Sequence, residues 1–199
     1  MKMTHPRVAF WLIPQQPERS RLRQWIDDLA ARYDAPAFDP HLTIYSCHRT
    51  RQQHELAVLA ALARRSAPLR LSVQGLDSGR SLTRSVFLML QTNRVLARLH
   101  DSLHHNVPQP SRYRCDPHIS LLYRLLPTPL PGAEAMVADF DLATIRFDEL
   151  RAVAIPETLQ TAQDLIGWQP LLSCRLASGV FADTIIDKTT IANDADARR

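Results

Sequence analysis

Two stretches of the chain repeat one order of elements, and this duplication constrains the fold more than any other feature. Val8 and His41 stand 33 positions apart, and Val86 and His118 stand 32 apart. Each interval reads strand, helix, loop, then a second strand opening on Asp-Pro-His. The first opening is Asp39-Pro40-His41-Leu42-Thr43-Ile44-Tyr45; the second is Asp116-Pro117-His118-Ile119-Ser120-Leu121-Leu122. A half-unit of this kind exposes an apolar sheet face that it cannot cover alone, so each needs helices and the other half over it. The pattern predicts an α+β fold of two lobes related by a pseudo-twofold and sharing one interface.

The element reading along the chain supports this. Arg7 to Ile13 is an apolar run stopped by Pro14, which suits a buried strand. Leu22, Trp25, Ile26, Leu29, Ala30 and Tyr33 mark one face of a helix, and Leu56 to Ala63 mark a second. Leu69, Leu71 and Val73 alternate as a half-buried strand before a turn at Asp77-Ser78-Gly79. Val86 to Leu90 reads as a strand, Val95 to Leu103 as a helix, and Pro117 to Tyr123 as a strand again. A proline-rich linker at 127–131, a short helix over Ala133 to Phe140, and strands at Leu150 to Ile155 and Leu171 to Leu176 complete the pattern. Residues 1–182 are thus expected to form a single two-lobed domain, with repeats near 8–47 and 86–123. Residues 183–199 are polar without apolar period and read as a flexible tail.

Composition excludes several classes. The five glycines fit neither a Walker loop nor a dinucleotide fingerprint, so no glycine-rich phosphate cradle is expected. Three cysteines without a CxxC pair argue against a disulfide framework or structural zinc and point to a reducing, cytoplasmic setting. No apolar run approaches the roughly 20 residues of a membrane helix, so no membrane partner is expected. The net charge of +4 comes mostly from arginines scattered along the chain, which suits attraction of a small anion better than a clustered nucleic-acid footprint. The chain is expected to act as a monomer.

Four His-x-Ser/Thr tripeptides occur, at His41, His48, His100 and His118. The His48 copy lies in an arginine-rich stretch and the His100 copy on a helix, where i and i+2 diverge. The other two lie on strands, where i and i+2 share a face roughly 6.5–7 Å apart. His41 with Thr43 and His118 with Ser120 therefore each present an imidazole and a hydroxyl side by side, while Leu42 and Ile119 turn inward. About a pseudo-twofold, both histidines converge on one cleft. Two groups titrating near pH 6.5 and two hydroxyl donors suit in-line displacement at phosphorus, one imidazole activating the attacking oxygen and the other protonating the leaving one.

These paired motifs resemble the 2H phosphoesterase superfamily, and most nearly its plant and fungal cyclic nucleotide phosphodiesterases. The likeness extends to Phe10-Trp11-Leu12-Ile13-Pro14, to Ser85-Val86-Phe87-Leu88-Met89-Leu90-Gln91-Thr92 and to Pro117-His118-Ile119-Ser120-Leu121-Leu122-Tyr123, in that order over about residues 7–177. It implies two antiparallel sheets with flanking helices and a cleft between the lobes. It also implies cofactor-free, metal-independent opening of a nucleoside 2′,3′-cyclic phosphate to the 2′-phosphate, or of ADP-ribose 1″,2″-cyclic phosphate to the 1″-phosphate. His41 and His118 would be the acid–base pair, with Thr43 and Ser120 on the non-bridging oxygens. Tyr123 matches a pocket position. Trp11 matches an aromatic that stacks on a base, or else is a core residue. Arg84 replaces a glutamine common in the plant proteins and would add a phosphate contact or lie exposed.

Two alternatives remain at this level. One keeps the site and acts on RNA 3′ ends, as an RNA cyclic phosphodiesterase or a 2′-5′ RNA ligase-like enzyme. The other is a nucleotide- or RNA-binding module without turnover. Elsewhere, Cys115-x-x-His118 lacks a second ligand pair for a metal, and His100, His104 and His105 sit near a helix end, where histidine caps carbonyls.

Overall fold

The computed structural model describes residues 6–125, 142–161 and 163–177. In chain order the elements are β1 (Arg7–Pro14), α1 (Glu18–Tyr33), β2 (Leu42–His48), α2 (Gln52–Arg65), β3 (Leu69–Ser78) and a 3₁₀ turn (Leu82–Arg84). There follow β4 (Val86–Leu90), α3 (Arg94–Asn106), β5 (His118–Leu122), β6 (Thr144–Ile155), α4 (Gln163–Ile166) and β7 (Gln169–Arg175). The strand order is β2-β1-β6-β3-β4-β5, every pair antiparallel, with β7 added on β6.

The duplication is written in that order. A midpoint between β6 and β3 exchanges β2-β1-β6 with β5-β4-β3, so the two Asp-Pro-His strands lie at opposite ends of matching half-sheets. Within the sheet of the described residues, β3 links the two halves: Leu69–Ser72 pair with β6, and Val73 to Ser78 pair with β4. The ladder shifts register between Val73 and Gly75, whose φ of +153° is open to glycine and costly for other residues. β3 therefore runs on through Asp77 and Ser78, paired to Phe87 and Val86, where the sequence suggested a turn. Ladder pairing outweighs the turn preference of those two residues.

Helices cover one face. Leu22, Ile26, Leu29 and Ala30 of α1, Leu59, Leu62 and Ala63 of α2, and Leu96, Leu99 and Leu103 of α3 are buried at 3.6-residue spacing. α1 ends where Asp34 turns left-handed, and Asn93 caps α3 by accepting from the Leu96 N–H at 2.9 Å. β1 is buried on both faces. Val8, Phe10 and Leu12 enter the main core, while Ala9, Trp11 and Ile13 join Val153 and Ile155 in a smaller cluster on the other face. That second face is where the cleft opens. β6 is twelve residues long and extends the strand expected at Leu150–Ile155 back to Thr144. The linker and helix expected at 127–131 and 133–140, and the tail from residue 183, lie outside the described residues.

Candidate active site

His41 stands just before β2, and His118 is the first residue of β5; each follows a proline, which lacks the N–H that a ladder would use. Leu42 and Ile119 are fully buried in the main core, so strand alternation turns the flanking residues to the other face.

Both histidines are held by one device used twice. The Nδ1 of His41 lies 2.6 Å from the carbonyl oxygen of Asp39, and that of His118 lies 2.7 Å from the carbonyl oxygen of Asp116. A carbonyl only accepts, so Nδ1 carries the proton and Nε2 of the neutral ring is left with the lone pair. The carboxylate of each aspartate is in turn held by an arginine. Asp39 accepts from Arg151 Nη1 at 3.0 Å, and Asp116 pairs with Arg84.

The two copies differ in environment. Arg151 is buried and is also bonded to Glu149 at 2.7 Å and to Ser173 at 3.0 Å. Arg84 faces the cleft with its guanidinium 4.2 Å over the Phe87 ring. His41 is 5% exposed and stacks on Trp11, ring centroids 3.7 Å apart and 16° from parallel. Burial pushes its pKa down to about 4; the Asp39 carbonyl and charge oppose that shift, and the charges of His118 and Arg151 add to it. The Tyr123 hydroxyl, 3.3 Å away, donates to Nε2 of the neutral ring. His118 is less buried and is also held below its ordinary value, by burial first and by Arg84 next among the lowering causes.

A cleft of about 430 Å³ is lined by His41, His118, Thr43, Tyr123, Trp11 and Arg84. These are six of the seven residues singled out from sequence. Ser120 is the exception. It is buried, and its Oγ donates to the carbonyl of Thr83 at 2.5 Å, so Thr83 rather than Ser120 lines the cleft on that side. Trp11 is just 4% exposed, and its ring supports the His41 imidazole instead of standing free for a base.

Sequence reading missed Trp168, Tyr113, Arg7 and Glu157, which also line the cleft. Trp168 meets Trp11, His41 and Tyr123 edge-on at 5.2–5.8 Å. Tyr113 donates from its hydroxyl to the Thr43 carbonyl at 3.0 Å. Trp168 and Tyr113 arrive from loops with no local periodicity to announce them. Arg7 had a signal: it shares a strand face with Ala9 and Trp11.

Three histidines of α3 lie outside the cleft lining. His105 bonds the Asp101 carbonyl at 2.7 Å within the last turns of α3, and His100 bonds the Tyr113 carbonyl at 3.2 Å. His104 bonds the Tyr45 hydroxyl at 3.2 Å. The Cys115 thiol, pushed up to about 12 mainly by burial, sits 3.9 Å from the Thr43 carbonyl. Among the described residues no group of three or more His, Cys, Asp or Glu is placed to hold a metal ion.

An antiparallel α+β fold with two clamped imidazoles in one cleft defines a class, and comparison with known proteins supports it. Two of the solved structures that share the fold serve as examples. One is E. coli LigT crystallised with 3′-AMP, at 20% identity and a TM-score of 0.56 over 86% of this chain and 98% of that one. The other is TT0787 of Thermus thermophilus, at 17% identity and a TM-score of 0.57 over 87% and 100%. Nothing among curated proteins matches the chain. The family model of the 2′-5′ RNA ligase superfamily matches residues 13–155, and the chain belongs to that superfamily, the 2H phosphoesterases.

Proposed function

We propose that the chain is a cyclic phosphodiesterase that hydrolyses nucleoside 2′,3′-cyclic phosphates, by acid–base chemistry between His41 and His118. The observation that carries this reading is the duplicated clamp, which leaves the Nε2 of both rings as the reactive nitrogens in one cleft. The plant and fungal likeness of the sequence blocks supports the cyclic substrate, and the neighbour crystallised with 3′-AMP supports a nucleotide.

The two environments assign the roles. His41, buried and accepting from Tyr123, is the ring held neutral and serves as base. It takes a proton from water as the water oxygen bonds to phosphorus. His118, charged, donates its Nε2 proton to the ribose 3′ oxygen as that P–O bond breaks, leaving a 2′-phosphate and a free 3′-hydroxyl. Thr43 and Arg84 hold the non-bridging oxygens. Ser120 keeps the Thr83 carbonyl, and with it the cleft wall, in place.

The test is purified protein on the four nucleoside 2′,3′-cyclic phosphates and on an RNA oligomer with a cyclic end, each with and without chelator. Chelator-insensitive release of 2′-phosphates is the expected result; turnover that depends on added metal would sink the mechanism. Turnover of the oligomer alone would move the activity to RNA 3′ ends.

Activity needs His41 neutral, so kcat/KM should rise through about pH 4. It also needs His118 charged, and that pKa lies below 6.5, so the alkaline limb should fall below pH 6.5. A kcat/KM maximum at or above pH 7 would contradict the assignment.

A further inference from the structure

The proposed chemistry occupies one end of the cleft, and the other end is built differently. Arg7, Ala9 and Trp11 follow one another on one face of β1. Register sets Trp11 beside Thr43, Ala9 beside Ser46, and Arg7 beside His48 and Ile155. Four residues at about 3.3 Å each place Arg7 about 13 Å from Trp11, far enough from the histidines to seat more than a phosphate. The middle of this path has a low floor, because Ala9 and Ser46 are small. Ile155, Pro156, Leu159 and Trp168 wall it with apolar surface. At the far end Arg7 Nη1 and Glu157 Oε1 stand 3.5 Å apart, and the other Glu157 oxygen is 3.5 Å from His48 Nδ1.

A slot with a low floor, an apolar wall and a charged pair at its end fits a flat ring with a polar edge. We propose that this end of the cleft is a base subsite that reads guanine, an inference resting on the nucleotide reading above. The Glu157 carboxylate accepts from the guanine N1–H and N2–H together, and Arg7 donates to O6. Guanine is the base that offers two adjacent N–H donors on its pairing edge. Adenine and cytosine set a ring lone pair beside their amino group, and uracil flanks its single N–H with two carbonyls, so each turns an acceptor toward the second carboxylate oxygen. Arg7 is held for this by donating from Nη2 to Ser46 Oγ at 3.2 Å. The Glu157 side chain is 49% exposed, so opening its pair with Arg7 to admit a base costs little.

The experiment pairs kinetics on the four nucleoside 2′,3′-cyclic phosphates with calorimetric binding of the four nucleoside 2′-monophosphates, for the wild type and for Glu157→Gln. The wild type should favour guanosine over uridine by about tenfold or more in both assays. The glutamine variant turns one acceptor into a donor and should cut that ratio at least about fivefold. Equal binding of the four monophosphates, or a guanosine preference that survives Glu157→Gln, overturns the subsite. Turnover of all four substrates without preference overturns it while leaving the hydrolase reading intact. Guanine-selective binding without turnover of any substrate does the reverse.

Discussion

Replacing either His41 or His118 by alanine should lower kcat/KM on a nucleoside 2′,3′-cyclic phosphate by about 10³–10⁴-fold, and the double variant should be little worse than the weaker single. Each proton transfer is typically worth about 10²–10⁴-fold, and the upper part of that range applies because the two act in one step. Groups that work as a unit are strongly non-additive: once the base is gone, a perfectly placed acid has little to assist. The singles should differ in stability. His41 is nearly sealed from solvent against Trp11, so His41→Ala leaves a gap beneath an indole, whereas the His118 ring is more open. His41→Asn separates the chemistry from the packing, since it fills part of the gap but cannot serve as the base. The measurement is kcat/KM with a thermal melt of each variant. Either single variant retaining a tenth of wild-type activity while folded would remove that histidine from the chemistry. The pH profiles add a second reading: His41 variants should lose the acid limb and His118 variants the alkaline one.

Much of this was legible in the chain because duplication is a statement about order, and order survives in sequence. The two Asp-Pro-His openings and their nearly equal spacing foretold the mirrored half-sheets, and alternation foretold that Leu42 and Ile119 turn inward while the histidines face the cleft. What duplication could not show is where the copies part. Arg84 precedes β4 and Arg151 lies on β6, at unrelated offsets from their aspartates, yet each ends on the carboxylate of an Asp-Pro-His. The different burial of the two imidazoles, on which the proposed assignment of the base rests, likewise depends on Trp11 beneath one ring and on the partial exposure of the other. Ser120 shows the limit of face-counting. It has the right alternation, but the carbonyl of Thr83 stands near enough to take its hydroxyl. Trp168 follows a single glycine before an ordinary strand, and just the folded chain brings it to His41.

Arg151→Met should destabilise the protein by about 3–5 kcal/mol in urea unfolding, a large effect for a residue that does not line the cleft. Arg151 is buried, and its guanidinium serves three partners: Glu149, itself buried, at 2.7 Å, Ser173 at 3.0 Å and Asp39 at 3.0 Å. Removing it leaves the Glu149 carboxylate in low-dielectric surroundings, with Arg19 at 4.0 Å the remaining ion-pair partner among the described residues. That uncompensated charge, more than the lost attraction, is the main cost. Glu149→Leu added to Arg151→Met should therefore recover most of the stability, because the pair is then replaced by apolar groups of similar size. The double variant isolates the role at the site. Asp39 keeps Arg23 at 3.1 Å and Arg19 at 3.8 Å, so its loop is not released. His41 loses one of the positive charges that hold its pKa down, while the Asp39 carboxylate is less neutralised, and both changes raise that pKa. The acid limb of kcat/KM should then move upward from about pH 4, with the alkaline limb on His118 left where it was. A purely structural arginine would change stability and leave that limb still. A double variant with restored stability and an unmoved acid limb would therefore show that Arg151 holds the fold alone and that the clamp on His41 ends at the Asp39 carbonyl.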